Sequence, residues 1–227
     1  MRVVITGAAG VLGAAVARAF LTTGASLALM DRAAASQDPL KDMADAHIFL
    51  DGVDLTDPAQ ARRAMDTAAS RLGGIDVLVN IAGGFRWETI ADGSLETWDF
   101  LYAINLKTAL CACKAALGYL PADNGRIVNV GAAAAAKAGT GMGAYTASKA
   151  GVAKLTEALA EELKDKGINV NAVLPTIIDT AANRADMPKA DFTRWVAPQA
   201  LADVIVFLSS HAARAITGAS ILVSGRV

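Results

Sequence analysis

Short apolar runs alternate with stretches of helical periodicity along the whole chain, and this alternation constrains the fold more than any other feature. The runs are Arg2–Thr6, Ser26–Asp31, His47–Asp51, Val77–Ile81, Arg126–Gly131, Asn169–Leu174 and Ser220–Val223. Amphipathic stretches lie between them, near 11–23, 57–72, 95–119, 144–166 and 198–210. Runs such as Val-Leu-Val and Ile-Val-Asn-Val are almost wholly apolar, as strands covered on both faces must be. Strand, helix and strand in succession form right-handed crossovers, so the pattern predicts an α/β fold: a doubly wound, seven-stranded parallel sheet flanked by helices. No charge-run linker or internal repeat interrupts it, which makes residues 1–227 a single expected domain. The one irregular insertion, 176–197, follows the sixth run and falls at the carboxyl edge of the sheet, where ligands bind in such folds. It is the expected substrate loop.

Composition narrows the function. A net charge of −1 offers no basic field for nucleic acid or an anionic membrane surface. Although 54% of residues are hydrophobic, no uninterrupted apolar run approaches the roughly 18 residues of a membrane span. The start of the chain lacks the pattern of a secretory signal. Cys111 and Cys113 stand two apart without a second pair or a nearby histidine, and His47 and His211 are isolated, so no metal site is expected. A reduced, cytoplasmic setting fits this cysteine usage.

The first run leads into "TGAAGVLG", with Gly7, Gly10 and Gly13 between a strand and a helix. Glycines there permit a tight turn and let backbone N–H groups approach a pyrophosphate at the positive end of a helix, together with Val11 and Leu12. The position between first strand and first helix makes this a Rossmann-type dinucleotide motif. Asp31 closes the second run; its carboxylate can accept from both hydroxyls of an adenosine ribose and repels a 2′-phosphate. Its neighbour Arg32 can instead bind that phosphate. The charge argument favours NAD(H) over NADP(H). Asp54, with Leu55 in "VDLTD", can bind the adenine edge or serve as a turn or capping acid.

Tyr145 and Lys149 share one face of the helix at 144–166. A phenol titrates near 10, so acid/base work near neutrality needs roughly 3 units of depression, about 4 kcal/mol of phenolate stabilisation. A nearby ammonium supplies the right sign.

With these residues the chain resembles the short-chain dehydrogenase/reductase family. The resemblance runs through "TGAAGVLG", "VDLTD", "GGIDVLVNIAGG", "YAINL", "RIVNVGA", "YTASKAG", "NVNAVLPTIIDT" and "ITGASILVSG", in order and at family spacing. It implies that Tyr145 is the acid/base, that Lys149 lowers its pKa and binds the nicotinamide ribose, and that Asn105 holds a water in a proton relay. It implies further that Asn80, Ala82 and Gly83 line the cofactor trough. Pro175 and Thr180 would flank the nicotinamide, with Ile178 at its carboxamide. Related proteins form dimers or tetramers through helices corresponding to 95–119 and 144–166, which would place both cysteines near a subunit contact. The expected partners are therefore a small-molecule substrate and further copies of the chain.

Three departures stand out. The glycine pattern is TGxxGxxG in place of TGxxxGxG, and Asn-Asn-Ala-Gly becomes Asn80-Ile81-Ala82-Gly83. The third is the catalytic serine, thirteen residues before the tyrosine in the family, which is here Ala132. Losing one hydrogen-bond donor to a developing oxyanion costs on the order of 10²–10³ in rate, unless Thr140 or a water substitutes; Asn129, inside a strand, is a poorer substitute. Dihydropteridine reductases, a branch of the family, keep the tyrosine and lysine without the serine and reduce quinonoid dihydropterin with NADH. The chain resembles them in "GTGMGAYTASKAG" and in "DTAANRADMPKADFTRWV", while "NAVLP" and the region around Asn105 resemble the ordinary reductases. The expectation is an NAD(P)H-dependent oxidoreductase acting on a conjugated or quinonoid ring such as dihydropterin. The alternatives are a general carbonyl/alcohol oxidoreductase and a non-catalytic NAD-binding sensor or scaffold.

Overall fold

The strands are β1 (Arg2–Thr6), β2 (Ser26–Met30), β3 (His47–Leu50), β4 (Val77–Asn80), β5 (Arg126–Val130), β6 (Asn169–Pro175) and β7 (Ser220–Val223). In the computed structural model, which describes residues 1–34 and 47–227, they form one sheet in the order β3-β2-β1-β4-β5-β6-β7. Every pairing is parallel.

Alternating side chains of each strand build two separate cores. Val3, Ile5, Leu27, Leu29, Val77 and Val79 face α1 (Val11–Thr22) and α7 (Pro198–Leu208). Val4, Ala28, Met30, Leu78 and Ile127 face the other side, against α2 (Pro58–Leu72), α4 (Thr108–Ala116) and α5 (Gly143–Leu163). Both faces of the central strands are thus dry, which accounts for their uniform apolarity. Each fully buried Leu or Ile contributes about 1.5–3 kcal/mol. Alanines at 64, 68, 112 and 116 let α2 and α4 lie close to each other and to the sheet.

The structure differs from the sequence reading in two places. The amphipathic stretch 95–119 is not one helix. It comprises α3 (Leu95–Leu101), a π-helical turn over Tyr102–Lys107, and α4. Wide turns of this kind cluster at functional sites, and this one carries Asn105. The insertion 176–197 contains α6 (Ala181–Asp186), capped by the Thr180 hydroxyl, which accepts from the Asn183 N–H at 3.1 Å. Arg184 clasps the insertion. It pairs with Asp179 at 2.6 Å and lies over the Phe192 ring at 4.9 Å, while Phe192 packs on Trp195. A parallel bridge between Ile178 and Val196 closes the base. Among the described residues, no helix is long and apolar enough to cross a membrane.

Candidate active site

The strand order reverses between β1 and β4, and their carboxyl ends open a crevice of the kind that binds nucleotides in doubly wound sheets. Gly7 turns the chain there at φ +65°, and a side chain at this position would come within 2.7 Å of the Ala82 nitrogen. A Cβ on Gly13 would lie 2.3 Å from the Gly7 carbonyl oxygen. The loop and the start of α1 therefore pack backbone against backbone. Gly10 begins α1 without a side-chain cap, so the first N–H groups of the helix stay available to an anion.

One cavity of about 660 Å³ brings together Gly7, Gly10, Val11, Leu12, Gly13, Asp31, Arg32, Asp54, Leu55, Ala82, Gly83 and Thr180. It also takes in Phe100, Ile104 and Thr108. These were not legible, because 95–119 read as a plain helix and gave no hint that its π turn faces the crevice. The glycine cradle, the uncapped helix start and a carboxylate at the far end fit a dinucleotide.

At the end of the cavity away from α5, Asp31 lies one residue beyond β2, and its oxygens accept from the Ala9 N–H and the Ala33 N–H, each at 2.9 Å. The carboxylate thus holds the glycine loop and keeps lone pairs for a ligand. Asp54 is the turn acid of its loop, accepting from the Thr56 N–H at 2.9 Å and its hydroxyl at 2.7 Å. These bonds hold its carboxyl below the usual range, with a smaller contribution from the Arg32 guanidinium. The helix cap is Asp57, which accepts from the Ala59 N–H at 2.8 Å. The cavity lining at this end thus carries two carboxylates, Asp31 and Asp54, and one guanidinium, Arg32.

Tyr145 and Lys149, on helix α5, are not part of this lining, but Lys149 Nζ lies beside Gly83, which is. Lys149 is buried, with Nζ donating to the Val130 carbonyl at 2.8 Å, and burial pushes its pKa down to about 8. Burial pushes the Tyr145 phenol up to about 12. This differs from the depressed phenol expected from the sequence. In the protein alone the loss of water around the ring prevails, and the ammonium is tied to a backbone oxygen. Asn105 is 1% exposed. Its Oδ1 accepts from the Gly84 N–H at 2.9 Å, and its Nδ2 donates to the Gly84 carbonyl and to Ser148 Oγ. The side chain is thus engaged in holding the loop after β4 rather than turned to solvent.

Ala132 is 5% exposed, two residues beyond the carbonyl that binds Lys149, and the turn Ala133–Ala136 packs against α5. Of the two protein groups considered as replacements for the serine, Asn129 is not placed for it. Thr140 lies exposed in its loop. Asn129 is fully buried, accepting from Asn80 and donating to Thr156, each at 2.9 Å.

The remaining expected residues lie outside the cavity lining. Asn80 is turned into the core, where it donates to Asn129 and to Cys113 Sγ. Pro175 ends β6 and is buried; Ile178 belongs to the bridge that closes the insertion. Both cysteines are buried and unpaired, and burial pushes the Cys113 thiol up to about 12. They face the interior, not an exposed helix surface. Among the described residues no group of three or more His, Cys, Asp or Glu could hold a metal.

Residues 1–191 match the profile of the short chain dehydrogenase family. D-threitol dehydrogenase of Mycolicibacterium smegmatis is 36% identical over 97% of this chain and 90% of its own. An "inactive 2-(S)-hydroxypropyl-CoM dehydrogenase 2" of Xanthobacter autotrophicus is 34% identical over 92% and 97%. Among solved structures, a blue fluorescent protein from a metagenomic library, in complex with NADPH, superposes with a TM-score of 0.88 at 32% identity, covering 99% of this chain and 97% of that one. Sequence, sheet order and crevice agree: the chain belongs to the short-chain dehydrogenase family of NAD(P)-dependent oxidoreductases.

Proposed function

We propose that the protein uses NADH to reduce a conjugated or quinonoid ring, with dihydropterin as the leading example and Tyr145 as proton donor. The observation that carries this reading is the buried Ala132 at the position of the family's serine, with Thr140 exposed and Asn129 consumed in the core. A carbonyl oxygen gathering charge in one place needs a donor there. A conjugated ring spreads that charge over several atoms and depends less on any single donor.

A bound reduced nicotinamide supplies the hydride. The loop Gly7–Gly13 and the first turn of α1 hold its phosphates, and Asp31 its adenosine ribose. Two carboxylates and one guanidinium in that part of the lining leave it net negative, which disfavours a 2′-phosphate and supports NAD(H); the structure of one relative nevertheless holds NADPH. Lys149 keeps a positive charge at Nζ near neutrality, with its pKa about 8. Tyr145 gives the proton of its hydroxyl to the ring atom that gathers negative charge. Asn105 orients the loop 82–85 beside them. Its side chain makes three bonds there, and its part is to fix shape.

The test is direct. The purified protein, given NADH, is expected to reduce quinonoid dihydropterin faster than it oxidises D-threitol with NAD⁺. The reverse order supports a second reading, a polyol or alcohol dehydrogenase, which the threitol-oxidising relative favours. NADH binding without turnover on either substrate supports a nucleotide sensor or scaffold; one relative is itself named as inactive. The protein is further proposed to work in the cytoplasm as a homodimer or homotetramer. Exposed Leu95, Trp98 and Tyr102 on α3 and the π turn support subunit contacts, and light scattering measures the assembly mass.

A further inference from the structure

We propose that Phe85 and Trp87 form an aromatic platform beside Tyr145 that selects planar rings; the proposal rests on the ring-substrate reading above and extends it to named specificity residues. The Phe85 ring meets the Tyr145 ring edge to face, with centroids 5.0 Å apart and an interplanar angle of 85°. Despite this contact Phe85 is 53% exposed. A large apolar ring touching the proton donor while facing solvent is the kind of surface that ligands cover.

The ring is also held in place. Asn105 bonds both backbone groups of Gly84, the residue before Phe85. The same Asn105 donates to Ser148 Oγ at 3.0 Å, and that hydroxyl donates to the Tyr145 carbonyl at 2.7 Å. Phe85 and Tyr145 are therefore joined twice, once through their rings and once through this chain of hydrogen bonds. A side chain fixed before binding loses little freedom when a ligand stacks on it. Gly84 itself lines the nucleotide cavity, so the platform continues from the cofactor crevice.

Trp87 extends it. Its indole lies against Gly141, where a Cβ would come within 2.1 Å of the ring. The Glu88 N–H fastens the same place, donating to the Gly141 carbonyl at 2.9 Å. Gly141 begins the turn into α5 just ahead of Tyr145, and Trp87 remains 58% exposed. One anchored ring thus borders the tyrosine and a second lies on the turn that leads to it, each half open to solvent. Flat conjugated molecules gain offset stacking on such rings, whereas small acyclic ones do not.

Two vicinal diketones separate shape from chemistry: 9,10-phenanthrenequinone, which is planar, and 2,3-butanedione, which is acyclic. In each, NADH delivers a hydride to one carbonyl carbon and a proton reaches its oxygen, giving a hydroxyketone. The ratio of kcat/KM for the planar over the acyclic dione is expected to fall on the order of tenfold in Phe85→Leu and in Trp87→Leu, chiefly through KM. Binding is measured independently of turnover, by quenching of tryptophan fluorescence when phenanthrenequinone is added to the NAD⁺-loaded protein, with Trp87→Phe identifying the Trp87 signal. Weaker binding to Phe85→Leu supports the platform. Equal binding to wild type and Phe85→Leu, or no binding to either, overturns it. So does a change in assembly mass on substitution with the ratio unmoved, which makes the rings a subunit contact. If the planar dione binds through Phe85 but is not reduced, the platform stands and the ring-reductase reading fails.

Discussion

Lys149 Nζ donates to the carbonyl oxygen of Val130 at 2.8 Å, tying the middle of α5 to the carboxyl end of β5. That bond sets the lysine at the edge where the sheet opens and buries its charge. It also places the ammonium two residues from Ala132, so the cation of the pair and the missing hydroxyl belong to one corner of the crevice.

Burial of Lys149 makes stability depend on pH with a definite sign. Its folded pKa is about 8, below the ordinary value near 10.4, so between those values the unfolded chain binds more protons and stability rises with pH. Tyr145, pushed up to about 12, acts in the opposite sense only above about pH 10, where the unfolded phenol ionises first. From about pH 8 to pH 10 the wild type is expected to gain on the order of 2 kcal/mol relative to Lys149→Met. Urea titrations at the two pH values measure the difference; parallel curves for both proteins would refute it.

Tyr145→Phe removes one oxygen and retains the ring that Phe85 touches. With a reducible ring substrate and NADH, kcat is expected to drop by about 10²–10⁴, while NADH affinity measured by calorimetry changes little. Undiminished turnover would remove Tyr145 from the proton transfer.

Asp31→Asn keeps one oxygen, enough for one of the two bonds from the Ala9 and Ala33 N–H groups, and abolishes the charge. The preference for NADH over NADPH, as a ratio of kcat/KM, is expected to fall on the order of tenfold, because the repulsion of a 2′-phosphate is lost. An unchanged ratio would assign the preference to other groups.

Ser148→Ala breaks the link between Asn105 and the Tyr145 carbonyl. The buried Asn105 Nδ2 then loses a partner, a cost of about 1–3 kcal/mol. For a chain of this size the Tm is expected to fall by roughly 2–10 °C. Calorimetric scans of the two proteins decide it, and an unchanged Tm would make the link dispensable.

The central strands were legible almost to the residue because their side chains are buried on both faces, which leaves a mark in every position. The glycine loop was legible for a similar reason: Gly7 and Gly13 sit where no Cβ fits. One boundary shifted to good effect. Asp31 falls just outside β2, and this release lets its carboxylate turn back to Ala9. The π turn at Tyr102–Lys107 was not legible, since the same residues suit an α-helix and its widening goes with tertiary bonds from Asn105 to Gly84. Nor was the inward turn of Asn80, which depends on Cys113 and Asn129 from distant elements. The residues 183–195 that suggested a pterin reductase largely serve the insertion itself, through Arg184, Phe192 and Trp195. Their pattern reports how that loop folds at least as much as what it binds.

On the proposed reading, Ala132 narrows the chemistry to substrates that need no serine donor. Ala132→Ser tests it most directly, with kcat/KM measured for a ring substrate reduced by NADH and for D-threitol oxidised by NAD⁺. The restored hydroxyl is expected to raise threitol oxidation about 10²-fold relative to ring reduction. Equal effects on both substrates, or a wild type already faster on threitol than on the ring, would contradict the claim.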